Sequence, residues 1–214
     1  MVRMPNTNPI SAWKSLREGN ERFVSGTQQH PSQGIAHRAK LVEAQYPTAV
    51  IFGCGDSRVA AELIFDAGLG DMFVVRTAGH VVDPSVLGSI EYAVEVLNVP
   101  LIVVFGHDKC GAVKATIDAL DNNEVPPGFI RNVVERVTSS ILLGRKEGLT
   151  TLDEFEARHV IETGRLIMDR SRIIAERVEA GTCAIASVTY KLADGVAKLR
   201  DVVGEIGEAP EQDV

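Results

Sequence analysis

The sequence predicts an α/β fold, with a mostly parallel central sheet flanked by helices. Two apolar runs rich in β-branched residues support this prediction, at residues 49–52 and 101–105. Strands that are buried on both faces of a parallel sheet have this continuous apolar pattern. A third observation is a short turn at residues 193–195, which joins two strand-like segments. Strands joined by so short a turn are antiparallel, so we expect about four parallel strands and an antiparallel fifth strand at the edge.

The length and composition of the chain fit one domain over residues 1–214, with an apolar content of 45% and a mean hydropathy of +0.06. The net charge of −7 argues against nucleic acid or an anionic membrane as a partner. No apolar run has the length of a membrane span, and the N-terminus lacks the pattern of a signal peptide. We therefore expect a cytoplasmic protein whose three cysteines are reduced.

Two helices are predicted before the first strand, in an N-terminal arm of about residues 10–45. Ser11 is predicted to cap the first helix, which runs to about Val24 and has one apolar side. The second is predicted from about Ile35 to Gln45. The first helix can pack on a partner subunit or on its own domain, and the pattern favours neither.

Strands and helices alternate along the rest of the chain. The later strands are predicted at residues 72–77, 101–105, 182–190 and 196–202. Helices are predicted at residues 60–66, 84–97 and 111–120, and over 129–180 with a break around 144–150. Pro84 suits the first turn of its helix, and Thr151 with Glu154 fits a capping box. The acidic tail after Gly204 is expected to be loose.

Three side chains that can bind a metal follow the ends of the predicted strands. Cys54 comes after Gly53 at the end of the first strand, and His107 comes after Gly106 at the end of the third. Cys110 lies three residues further on, before a helix. Because ligands gather at the carboxyl ends of parallel strands, we expect these side chains to converge. Two thiolates and an imidazole suit zinc, and three protein ligands leave the open position of a catalytic site.

Asp56 and Arg58 lie on the turn after Cys54. Such a pair is most often a solvated surface pair, but beside a metal it is a carboxylate held by a guanidinium fork. A second interpretation makes Cys54 a metal-free nucleophile with His107 as its base, which leaves Cys110 without a role. A third is a zinc-dependent binding or regulatory module. On the residues alone these interpretations stay open.

Two blocks of the sequence resemble the paired signature of the β-class carbonic anhydrases. They are residues 54–58 (CGDSR) and 107–111 (HDKCG), and the segments 73–76 (FVVR) and 90–93 (IEYA) between them are also similar. The resemblance covers roughly residues 10–205 and is closest to bacterial members of the mycobacterial type. It implies the family fold, a parallel sheet with an antiparallel fifth strand. It also implies N-terminal helices that embrace a partner subunit, in a homodimer or homotetramer.

The resemblance further implies an activity and a set of site residues. The activity is the reversible hydration of carbon dioxide to bicarbonate and a proton, through a zinc-bound hydroxide. The implied zinc ligands are Cys54, His107 and Cys110, and the implied catalytic dyad is Asp56 with Arg58. The implied substrate-binding residues are Gln45, Phe73, Ala78, Tyr92 and Gly111. The same scaffold acting on a sulfur analogue of carbon dioxide is a fourth possibility.

Other residues carry weaker signals. Some bacterial members of the family have an allosteric bicarbonate site with a tryptophan three residues before the first ligand, where this chain has Ile51. Cys183 is expected in the core. The remaining histidines have no ligand spacing and are expected on the surface or in packing; they are His30, His37, His80 and His159.

Overall fold

The computed structural model describes residues 8–210 and has a five-stranded sheet at its centre. The strands are β1 (Ala49–Cys54), β2 (Met72–Thr77), β3 (Leu101–His107), β4 (Ala184–Tyr190) and β5 (Ala197–Val203). Their order across the sheet is β2-β1-β3-β4-β5. The first four strands are parallel, and β5 is antiparallel to β4. The predicted mostly parallel sheet with an antiparallel edge strand is confirmed.

Eight α-helices surround the sheet within residues 8–210. They are α1 (Pro9–Ser25), α2 (Ile35–Lys40), α3 (Ala61–Ile64), α4 (Pro84–Glu91), α5 (Gly111–Asn122), α6 (Ile130–Lys146), α7 (Leu152–Arg170) and α8 (Arg172–Glu179). A 3₁₀ turn over Ala78–His80 follows β2, and a π-helical turn over Tyr92–Val96 follows α4. None of the described helices combines the length and the apolar character needed to cross a membrane.

Successive residues of the central strands pack into different layers of the core. Ile51 and Phe105 face a layer under α1 and α3, whereas Phe52 and Val104 face a layer under α4, α7 and α8. This alternation follows from the two-residue period of a strand. Because both faces are covered, every residue of β1, β3 and β4 is buried, which explains the continuous apolar runs in the sequence.

The cap of the first helix is Asn8, three residues before the cap predicted at Ser11. Asn8 caps α1 by accepting from the Ser11 backbone N–H, and the Ser11 hydroxyl oxygen accepts in return from the Asn8 backbone N–H. Ser11 is therefore the N3 residue of a capping box rather than the cap. Trp13 and Leu16 of α1 are buried in the layer beside Phe65, so this helix packs on its own chain.

Three predicted helices differ from the structure by more than one or two residues at an end or in their type. The helix predicted to reach Gln45 ends at Lys40, because α2 buries no residue and so has little packing to extend it. The helix predicted over residues 84–97 changes from α to π at Tyr92. The last helical stretch is split at Ser171, whose extended backbone ends α7 and whose hydroxyl oxygen caps α8. The capping box at Thr151 and Glu154 is confirmed.

The segment after Gly204 is not loose as far as the structure describes it. Ile206 is only 2% exposed and belongs to the core. Glu208 accepts from the Trp13 indole N–H at 2.8 Å and pairs with Arg17. These contacts attach residues 205–208 to α1, which is why an acidic composition alone misled the prediction. Residues 211–214 lie outside the described part of the chain.

Candidate metal centre

The metal-binding atoms of Cys54, His107 and Cys110 all lie within 4.8 Å of one another. The parallel register produces this convergence. Gly53 pairs with Phe105, so the carboxyl ends of β1 and β3 lie side by side. All three residues are buried. The structure therefore brings together the three side chains that the sequence predicted as metal ligands.

The loop that carries Cys110 is fixed by hydrogen bonds to the end of β4. The Asp108 backbone N–H donates to the Tyr190 carbonyl, and the Asp108 carboxylate accepts from the Leu192 backbone N–H at 2.8 Å. Lys109 then turns the chain with a positive φ of 55°, and Cys110 takes the N-cap position of α5. The second thiol is thus held at a helix N-terminus, where the helix dipole favours a thiolate.

The His107 ring has one nitrogen in use and one left for a metal. Its Nδ1 lies 2.8 Å from the Asp108 carbonyl oxygen and donates to it, since a carbonyl can only accept. A neutral imidazole with a proton on Nδ1 has a lone pair on Nε2. This Nε2 is buried and has no hydrogen-bond partner among the described residues. An orphaned imidazole nitrogen beside two thiols matches the donor set of zinc.

The two thiols differ in their acidity when no metal ion is bound. The pKa of Cys54 is lowered far below its usual value, mainly because the Cys110 thiol hydrogen-bonds to it, with further help from His107 and the Gly79 backbone N–H. The pKa of Cys110 is raised in turn, because its proton is held by Cys54. A dication at this position favours ionisation of both thiols.

Asp56 and Arg58 form a bidentate pair beside the three donors. Oδ2 of Asp56 lies 3.9 Å from Nε2 of His107. Arg58 also lies within 3.3 Å of the Lys109 carbonyl oxygen, to which it donates. The Arg58 guanidinium holds the pKa of the Asp56 carboxyl well below its usual range. The carboxylate is therefore charged and oriented at the edge of the donor cluster.

Two charged residues that the sequence analysis did not single out support the site. Arg76 at the end of β2 donates to the Cys54 carbonyl at 2.9 Å and to the Asp56 carbonyl at 2.6 Å, so it fixes the turn between these residues. The sequence signal for Arg76 was a charged residue within an otherwise apolar predicted strand. Glu156 of α7 is 3% exposed, and its Oε1 accepts from the Cys110 backbone N–H at 2.6 Å. Burial raises the pKa of Glu156 to about 7.

The five predicted substrate-binding residues fall into two groups. Ala78 follows Thr77, which pairs with Cys54, and Gly111 directly follows Cys110. Ala78 and Gly111 therefore lie at the carboxyl ends of the strands, near the three donors.

The second group lies away from the carboxyl ends of the strands and comprises Phe73, Gln45 and Tyr92. Phe73 pairs with Val50, four residues before Cys54, which corresponds to about 13 Å along the strand. Gln45 and Tyr92 line a separate cleft together with Leu97 and Asn98, which precede β3. This cleft lies near the end of the sheet where the parallel strands begin, whereas the three donors lie where the strands end. A single chain therefore does not bring Gln45, Phe73 and Tyr92 to the three donors.

The family model and the most similar relatives that we compared with this chain all indicate the same family. The family model described as carbonic anhydrase matches residues 49–197. A carbonic anhydrase of Mycolicibacterium smegmatis is 67% identical over 205 residues, which cover 96% of this chain and 100% of that protein. Carbonic anhydrase 2 of Mycobacterium tuberculosis is 66% identical over 205 residues, which cover 96% of this chain and 99% of that protein.

Solved structures with a similar fold include β-carbonic anhydrases. The β-carbonic anhydrase CcaA aligns with a TM-score of 0.70 at 23% identity, over 95% of this chain and 94% of that one. A structure of tetrameric β-carbonic anhydrases from the ascomycete Sordaria macrospora aligns with a TM-score of 0.67 at 22% identity, over 87% and 95% of the two chains. At these identities the likeness establishes the fold.

Proposed function

The chain belongs to the carbonic anhydrase family, as a β-class member of the mycobacterial type, and on this premise we propose that it catalyses the reversible hydration of carbon dioxide to bicarbonate and a proton. The observation that carries the proposal is the buried cluster of Cys54, His107 and Cys110. Its two sulfurs and its free imidazole nitrogen fit a zinc ion with one position open.

A zinc ion held by Cys54, His107 and Cys110 would supply a water molecule that loses its proton far more readily than bulk water. The side chains around it determine how this nucleophile is used. Asp56 is charged, so it would accept a hydrogen bond from the oxygen of that water and direct a lone pair of the oxygen at the carbon of carbon dioxide. Arg58 occupies both carboxylate oxygens of Asp56, which keeps Asp56 an acceptor rather than a ligand.

Ala78 and Gly111 are suited to the substrate side of the site. Carbon dioxide is apolar, and the small methyl group of Ala78 leaves space for it next to the donors. Gly111 is the first residue of α5 and faces open space. Because the first N–H groups of a helix have no partner within it, this N–H can donate to the oxygen on which negative charge develops.

We propose that Gln45, Phe73 and Tyr92 complete the pocket of a second copy of this chain. They lie away from the donors of their own chain, which argues for a role across an interface. The cleft around Gln45 and Tyr92 also carries the exposed apolar side chains of Val42 and Val96, and such surfaces are common at interfaces. A homodimer or homotetramer meets this requirement.

Metal analysis combined with a carbon dioxide hydration assay tests the function. The wild type is expected to contain one zinc per chain and to hydrate carbon dioxide. Cys110→Ser is expected to lose both the metal and the activity. Cys183→Ser is the matched control, because Cys183 is a buried cysteine outside the donor cluster. Activity that survives in metal-free Cys110→Ser would instead indicate Cys54 as a nucleophile.

A further inference from the structure

His159 is a buried residue of α7 whose two ring nitrogens both have partners. It is 3% exposed. Its Nε2 lies 2.9 Å from the Gly79 carbonyl oxygen, and its Nδ1 lies 2.9 Å from the Ser140 hydroxyl of α6. The carbonyl only accepts, so Nε2 carries the proton and Nδ1 accepts from Ser140. Burial lowers the pKa of His159, which agrees with a neutral ring in this tautomer.

Gly79 links this histidine to the metal centre. Its backbone N–H donates to the Cys54 sulfur at 3.3 Å, and its carbonyl accepts from His159. Gly79 has φ 63° and ψ 26°, in the left-handed region, and a Cβ at this position would lie 2.6 Å from the Cβ of Ala112. Only glycine fits here. The next residue, His80, also has a positive φ of 40°, so the turn needs support from outside itself.

We propose that His159 is a positioning residue for the metal centre, holding Gly79 so that the Gly79 N–H stays directed at the Cys54 thiolate. This inference rests on the proposed function of that centre. A hydrogen bond to a ligand thiolate withdraws charge from its sulfur and weakens it as a metal donor. A zinc ion held by this thiolate would then acidify its bound water more strongly. His159 thus increases activity at neutral pH without touching the substrate or the metal ligands.

The neighbouring His80 differs from His159 in its hydrogen bonds. The two rings lie 4.4 Å apart, and His80 is as buried as His159. Neither ring nitrogen of His80 has a hydrogen-bond partner among the described residues. His159, in contrast, uses both nitrogens to connect Ser140 of α6 to the turn that contacts Cys54.

Cobalt-substituted protein provides a test that does not depend on activity. His159→Leu removes the donor to Gly79, and His159→Gln keeps an amide that can donate. Thr163→Val is the matched control, because Thr163 lies one turn further along α7 and is also 3% exposed. The sulfur-to-cobalt charge-transfer band of His159→Leu is expected at longer wavelength, since the thiolate loses a hydrogen bond. Hydration by the zinc form at neutral pH is expected to fall about tenfold and to recover at alkaline pH.

His159→Gln is expected to return the band and the pH profile towards those of the wild type. The proposal is overturned if His159→Leu leaves both unchanged, if Thr163→Val shifts them equally, or if His159→Gln does not restore them. Should His159→Leu not fold, Ser140→Ala decides, with a smaller shift in the same direction expected and no shift overturning the proposal. A wild-type cobalt protein with no sulfur-to-cobalt band would instead refute the metal centre itself.

Discussion

Arg58 holds Asp56 through two parallel hydrogen bonds, from Nε to Oδ1 at 2.9 Å and from a terminal nitrogen to Oδ2 at 2.7 Å. The Arg58 backbone N–H adds a third bond to Oδ1 at 2.9 Å. This geometry needs a planar guanidinium, because an ammonium group cannot form the fork. The carboxylate is therefore fixed in orientation as well as in charge, next to the three metal-binding atoms.

Asp56→Asn is expected to reduce kcat for carbon dioxide hydration by about 10²–10³-fold, the cost of removing one oriented polar group from a catalytic site. The amide is neutral and presents a donor where an acceptor is needed. Zinc content should stay at the wild-type level, because Asp56 is not among the proposed ligands. Asp118→Asn, in an exposed ion pair on α5, is the control and should leave kcat unchanged. A zinc-loaded Asp56→Asn protein with wild-type kcat would remove Asp56 from the mechanism.

Hydration activity is expected to rise from neutral into alkaline pH. Two thiolates offset the formal charge of a zinc dication, so the bound water is acidified less than in a site of three neutral imidazoles. Stopped-flow measurement of kcat between about pH 6 and 9 tests this, since one titration should describe the rise. A rate that is constant across this range would contradict the proposed donor set.

The sequence was sufficient to predict the sheet and the convergence of Cys54, His107 and Cys110. Both follow from local signals, namely apolar runs and the residue types that end them. Glu156 and His159 could not be found in this way, because their contacts are with backbone atoms of Cys110 and Gly79, which lie 46 and 80 residues away along the chain. A buried glutamate on an amphipathic helix has the same local pattern as an exposed one.

The N-terminal arm shows a different limit of prediction. Both ends of α1 are set by local groups, and its capping box could have been found from Asn8 and Ser11. The α2 helix buries no residue, so no apolar pattern in the sequence marks where it ends. Matching Gln45 and Tyr92 to a family pattern likewise identifies residues without showing which copy of the chain they serve.

Mixing two inactive variants tests whether Gln45 acts across an interface. Cys110→Ser lacks a metal site but has Gln45, and Gln45→Ala has a metal site but lacks the amide. If Gln45 serves the partner, a dimer with one chain of each kind has one complete site. Random pairing in a co-expressed sample should then recover about a quarter of the wild-type activity, beyond the sum of the two separate variants. No recovery, with mixed dimers shown by mass spectrometry, would mean that Gln45 serves its own chain or neither.

Asp66 is expected to be a major determinant of stability outside the site. Its side chain is 1% exposed and accepts from Arg22 at 2.6 Å and from the backbone N–H groups of Gln29 and His30. Burial alone would raise the pKa of Asp66, but these bonds to the ionised form lower it overall. Asp66→Asn is expected to lower the free energy of unfolding by about 2 kcal/mol, whereas Asp118→Asn on the surface should cost about 0.5 kcal/mol or less.

The effect of Asp66→Asn should also depend on pH, because only the wild-type side chain titrates. A carboxyl whose pKa is lower in the folded state stabilises the fold above its unfolded pKa of about 3.9, and this stabilisation is lost as the pH falls through the folded pKa. The difference in unfolding free energy between wild type and Asp66→Asn should therefore be constant from about pH 5 to 7 and shrink below about pH 4. Urea unfolding at a series of pH values measures it. A difference that grew on acidification would mean that folding raises the pKa of Asp66 instead of lowering it.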